Sequence, residues 1–270
     1  METEKKTGQI EDLKVVLTIL ALLVIVAGIT IFKTTTGGKS SHSNPNGGSV
    51  TLVAEFQDSK IALDQIAEHT TSKDNEPYTA TNLENRPYQF AVVKDGYWPW
   101  AKTLTPEEQK DVTFDTFSIL MNPKREDLDK ESDEYASYRK TFAELKVPGE
   151  DTKVISKDGN MAVWAEMNRI FAMWTGETSK IPSYFCTDGV CASRLNIITL
   201  QYNVRSLAFL GEHNNSIIFS DDQGIYALEI NQRDNQNFQP IFRTQIPQFI
   251  PLDARTLMVE SNGNIFKLSY

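Results

Sequence analysis

Apolar and polar positions along this chain fall into four successive textures. The first is residues 15–32, VVLTILALLVIVAGITIF, which carry no charge and thirteen Val, Ile, Leu or Phe side chains. As a helix these eighteen residues rise about 27 Å, close to the roughly 30 Å hydrocarbon core of a bilayer. At about 0.3–0.6 kcal/mol for each large apolar residue, insertion gains at most about 4–8 kcal/mol. The pattern therefore predicts one transmembrane helix at 15–32, preceded by a polar tail at 1–14. Residues 33–49 are rich in Gly, Ser, Thr and Asn, bury little, and read as a flexible linker whose ends lie about 20–25 Å apart.

The second texture, residues 50–121, is short alternating runs such as VTLVAEF, YQFAVVKD and VTFDTFSILM, separated by turn formers at Asp74-Asn75 and Asp95-Gly96. Period-two alternation at this spacing predicts a small β-sandwich. The third, residues 122–150, is densely charged, with Leu128, Tyr135, Tyr138, Phe142 and Leu145 at helical steps. It predicts a connecting helix from about Glu126 to Lys146, ended by Pro148-Gly149 and laid on a neighbouring domain. The fourth, residues 151–270, repeats a turn, an apolar strand, a tight polar turn and a second strand. Met161, Ile217 and Leu257 are equivalent positions, 56 and 40 residues apart. That plan predicts an antiparallel β domain resembling two or three propeller blades. The expected architecture is thus mainly β, with one N-terminal transmembrane helix, a sandwich, a connecting helix and a blade-like domain.

Within the second texture, YTATNL at 78–83 and RPYQFAVVKDGYWPW at 86–100 resemble the second half of a PEGA domain. The stretch VTLVAEFQDSKIALD lacks the Pro-x-Gly-Ala of that family. The resemblance implies a small β-sandwich displayed, without enzymatic activity, by an anchored bacterial envelope protein. Tyr97, Trp98 and Trp100 close the matching segment. Such rings either plug the core of a small domain or cap its end, or they present a surface to a protein or glycan partner.

Charge and cysteine usage add location. The net charge of −9 and pI near 5.0, without a cluster of Lys and Arg, argue against a nucleic-acid partner. Lys5, Lys6 and Lys14 precede the apolar run and only Lys33 and Lys39 closely follow it, which favours a cytoplasmic N-terminus. The run exceeds the apolar core of a cleaved signal peptide and reads as an uncleaved signal anchor in the cell membrane, with lipid as the partner of residues 15–32. Cys186 and Cys191 could be a disulfide or half a metal site. With only His42, His69 and His213 as further soft ligands, the disulfide is favoured, worth roughly 2 kcal/mol and formed only in an oxidising, extracytoplasmic compartment.

No nucleophile elbow, zinc-protease motif or phosphate-binding glycine loop occurs, so no catalytic residue, metal ligand or cofactor is assigned. Asp221-Asp222 could serve a glycosidase or hold calcium, but acidic pairs at turns usually form the turn. Glu229 and Arg233 are spaced for an ion pair, and Asn214-Asn215-Ser216 fits a glycosylation acceptor. The expectation is a single-pass envelope protein displaying extracytoplasmic β-domains as a non-enzymatic binding or structural module. Its alternatives are an envelope glycan-active enzyme and a sensor or assembly subunit of a membrane complex.

Overall fold

The computed structural model describes residues 47–106, 111–187, 189–233 and 235–270. The expected tail, the span at 15–32 and nearly all of the linker lie outside the described residues. Among the described residues no helix is long and apolar enough to cross a membrane. What is described is mainly β, with one α-helix.

The first half is two facing sheets. Strands β1 (Gly48–Ala54), β4 (Glu76–Leu83) and β7 (Asp111–Asp115) form one in the order β4-β1-β7, with β1 antiparallel to β4 and parallel to β7. Strands β2 (Lys60–Leu63), β3 (Ile66–Thr70), β5 (Tyr88–Val93) and β6 (Trp100–Leu104) form the other in the order β3-β2-β5-β6. Alternation in β1 turns Val50, Leu52 and Ala54 inward, where they share one core with Ile61, Leu63, Phe90, Val92 and Trp100. Each large side chain so buried contributes about 1.5–3 kcal/mol.

The second half is three four-stranded antiparallel sheets. The first has the order β14-β11-β10-β9, from β9 (Val154–Ile155), β10 (Met161–Glu166), β11 (Arg169–Trp174) and β14 (Leu195–Thr199). Between its last two strands, β12 (Cys186–Thr187) and β13 (Val190–Cys191) make a small hairpin. The middle sheet runs in chain order from β15 (Ser206–Phe209) through β16 (Ser216–Ser220) and β17 (Gly224–Glu229) to β18 (Phe238–Arg243). The third holds β19 (Gln248–Pro251), β20 (Thr256–Ser261) and β21 (Asn264–Ser269), and its fourth strand is β8 (Lys124–Asp127), from more than a hundred residues earlier. Strand β15 touches both β9 and β19, and each of the three is an edge strand of its sheet. The equivalent residues Met161, Ile217 and Leu257 fall on the central hairpins of the three sheets. The last hairpin turns at Asn262 and Gly263, both at positive φ (52° and 70°), the pairing that a tight two-residue connection needs.

Alternation also decides how the sheets stack. Ile217 and Phe219 of β16 face the first sheet with Met161, Val163 and Ile170, while Ile218 faces the third with Leu257, Val259 and Phe266. All five residues of β16 are consequently buried. The outer face of the third sheet, through Met258 and Ile265, is covered by the helix α1 (Asp133–Glu144), whose Tyr135 and Phe142 are buried there. On the outer face of the first sheet, Trp164 and Phe171 stack 5.5 Å apart. The Arg194 guanidinium covers them, 3.7 Å from the Phe171 ring centre. Both ends of the stack are therefore closed, one by a helix and one by a cation on aromatic rings.

The 122–150 segment differs from its expectation. Its helix starts at Asp133, where the Ser132 side chain accepts the Tyr135 amide at 3.1 Å as an N-cap, and ends at Glu144. The stretch ahead of it is strand β8, paired with β21 from Lys124↔Ser269 to Asp127↔Phe266. Its charges suit an outermost strand, whose side chains all stay in solvent.

Candidate functional site

Strand β1 runs from Gly48 to Ala54 and delivers Glu55 and Phe56 against loops of the second and third sheets. Two equivalent loops meet them, 210–215 after β15 and 252–255 after β19, and the corresponding loop after β9, 156–160, reaches only the adjoining cavity, through Lys157. Together they enclose a cleft of about 410 Å³ whose polar walls are Glu55, Asp74, Asp115, Thr116, His213 and Arg255, over a floor that includes Val53, Phe56 and Leu210. A second cavity of about 320 Å³ adjoins it through Gly211, Glu212 and Ala254 and runs on to Lys157, Asp253 and Tyr270. Gly211 sits at φ +54° with Ala254 O only 3.0 Å from where a Cβ would stand, so both the turn and the close approach of the two loops need glycine.

Glu55 is the hub of the cleft. Its Oε2 accepts the Ser118 amide at 2.9 Å, its Oε1 lies 3.5 Å from His213 Nε2, and the Arg255 guanidinium is ion-paired with it. Burial by itself would raise the Glu55 pKa, but the hydrogen bond from His213 and the charge of Arg255 outweigh it and hold the carboxyl below its usual range. Arg255 also donates to Ser118 O at 2.7 Å and lies 4.8 Å from the Phe56 ring centre. These contacts tie β1 of the sandwich to the 252–255 loop. On the rim, Lys157 and Glu212 form an exposed ion pair.

A second junction lies at β6. Lys102 Nζ contacts Glu229 Oε1 at 3.0 Å and donates to Asn231 O at 3.3 Å, and Glu229 Oε2 accepts Asn237 Nδ2 at 2.9 Å. Ala101 N donates to Asn237 Oδ1 and Gln239 Nε2 to Pro99 O, each at 3.0 Å. The expected Glu229–Arg233 pair is thus corrected. Glu229 ends β17 facing the sandwich, and Arg233 donates instead to Cys186 O.

The residues singled out from sequence are dispersed. Cys186 and Cys191 are disulfide-bonded directly across the β12–β13 hairpin. Trp100 is 1% exposed and packs in the sandwich core, 6.1 Å from Phe114 between ring centres. Tyr97 and Trp98 are half-buried, with Tyr97 5.1 Å from Phe56, a residue of the cleft floor. His69 is on β3 and bonds Glu76 Oε1 at 2.8 Å. Asp221 and Asp222 sit at the far end of β16 from the cleft. Asp221 Oδ1 accepts the amides of Gln223 (2.8 Å) and Gly224 (3.2 Å), and burial, with the Asp222 charge, raises its pKa against those two bonds. Asp222 binds Arg205 Nε at 2.5 Å, so this pair builds the turn. Among the described residues no group of three or more His, Cys, Asp or Glu is placed to hold a metal ion.

Neither Glu55 nor Arg255 carries a motif that could have marked it. Packing brings them together, with β1 delivering Glu55 to the 252–255 loop that carries Arg255.

No protein-family model matches this chain, and no curated protein matches it. Among solved structures 15 chains match. One titled "AfRom2 CNH domain" has 12% identity over 76% of this chain and 70% of its own, with a TM-score of 0.28.

Proposed function

We propose that this chain is a single-pass membrane-anchored protein of the cell envelope, with residues 1–14 in the cytoplasm and the β-rich part outside as a non-enzymatic binding or structural module. The observation that carries this reading is the Cys186–Cys191 disulfide downstream of an uncharged run long enough to cross a bilayer. The sandwich stands as a PEGA-like module, and the three sheets as blades of an open, propeller-like array. The contact of β15 with both β9 and β19 supports that array, because one edge strand of each propeller blade lines the common axis. The groups of the cleft support a holding role: Glu55, His213 and Arg255 engage one another between sandwich and loops.

The cleft also lies at the end of β1 remote from the linker. Seven residues of strand span about 20 Å, so the cleft stands about that far from where the chain enters β1.

Protease treatment of intact cells tests the placement. A C-terminal epitope tag is expected to be lost without lysis, and its full protection in cells that keep their envelope sealed would overturn the reading. Alkylation without reductant gives a second measure, with no mass shift expected at Cys186 or Cys191.

A further inference from the structure

The two adjoining cavities make one groove, and its charges do not cancel. Along its walls Arg255 is spent on Glu55, and Lys157 on Glu212. Among the described residues that leaves Asp74, Asp115 and Asp253 without an ion-pair partner. Asp74 accepts the Gln57 amide in the first cavity, Asp253 the Arg255 amide in the second, and Asp115 is exposed. These amide bonds fix the carboxylates in place without neutralising them. The floor between them is apolar, made by Val53, Phe56 and Leu210 at one end and Phe209, Pro251 and Leu252 at the other, with Leu252 39% exposed.

From this geometry we propose that the groove binds an extended peptide segment of a partner protein in which apolar residues alternate with Lys or Arg. This rests on the chain being a binding module and names the chemistry of what it binds. An extended segment sends successive side chains in opposite directions. Apolar ones reach the floor while basic ones meet the carboxylates on the walls. Lys and Arg can do both, since their methylene stems lie on apolar surface with the charge held outward. Anionic lipid headgroups and acidic glycans are repelled by the same walls. The charge complementarity here is local, and it agrees in sign with the net charge of −9.

The test is a fluorescence-anisotropy titration of the purified full chain in detergent with a labelled peptide, acetyl-(Lys-Val)3-amide, against acetyl-(Glu-Val)3-amide. Saturable binding of the basic peptide is expected, weakened about two- to fivefold by each of Asp115→Asn and Asp74→Asn and further by added salt. Asp115→Asn is the cleaner variant, because Asp74 also holds the Gln57 amide. Equal binding of the acidic peptide, or unchanged binding to both variants, would overturn the proposal. So would competition by spermidine as strong as that of unlabelled peptide, since the groove would then read charge alone. Protease treatment of cells reports on placement and this titration on the groove, so the two can fail separately.

Discussion

Lys102 Nζ lies 3.0 Å from Glu229 Oε1, with side chains 0% and 2% exposed, and the pair joins the edge of the sandwich to the middle of the three sheets. A buried ion pair contributes little against an apolar pair of the same shape, yet removing one partner strands a charge out of water. Lys102→Met should therefore lower unfolding stability by about 3–5 kcal/mol, and the double change Lys102→Met, Glu229→Leu by distinctly less. Urea unfolding of the four proteins measures both. Equal losses in the single and double variants would show that packing at β6, and not the charge, sets the cost.

The Cys186–Cys191 disulfide closes a hairpin whose Cys186 carbonyl receives Arg233. Replacing both cysteines by serine should cost roughly 2 kcal/mol by the chain-entropy relation for so short a loop. Thermal melts with and without reductant should give the same shift in the parent and none in the variant.

Ser132 caps α1 through Tyr135 N, and Phe142, like Tyr135, is buried on the third sheet. Ser132→Ala should cost about 1 kcal/mol and Phe142→Ala about 3–5 kcal/mol. The ratio is informative, since a Phe142→Ala loss no larger than that of the cap would mean that the helix does not close this end of the stack.

Glu76 is held at about 2, from an ordinary 4.5, first by the Ser72 amide, then by the Ser72 hydroxyl and His69, with the Lys73 amide adding less. A carboxyl depressed by folding adds stability in full above its unfolded value near 4.5. That contribution is lost as the pH falls from there through about 2. An NMR titration of the Glu76 side chain should show its midpoint near 2, and Ser72→Ala should move it upward while the amide bond keeps it below 4.5. A midpoint unchanged by the substitution would remove the hydroxyl from the account.

The parts of this molecule legible in its sequence are those set by local period. Alternation in VTLVA marked β1, and the shared plan around Met161, Ile217 and Leu257 marked three hairpins that are indeed central to three sheets. Asn262-Gly263 announced its own turn. The illegible parts depend on partners far away in the chain. Lys124–Asp127 has no apolar residue, so no period could reveal a strand, and only its pairing with β21 makes it one. Glu229 looked to Arg233 because four residues separate them, while its partner Lys102 comes from another layer. In the cleft, Glu55 and Arg255 stand 200 positions apart and meet through packing alone.

The order in which the chain is made gives the β8–β21 pairing a further consequence. Residues 124–127 leave the ribosome some 140 residues before 264–269, an interval on the order of ten seconds at about 5–20 residues per second. Throughout it residues 124–127 have no β21 to pair with, and a segment left open in this way can pair with a stray strand on which nascent chains aggregate. Lys-Arg-Glu-Asp is a sequence that can wait: four charges in a row hold water and repel a stray strand, and they remain in solvent once β21 arrives.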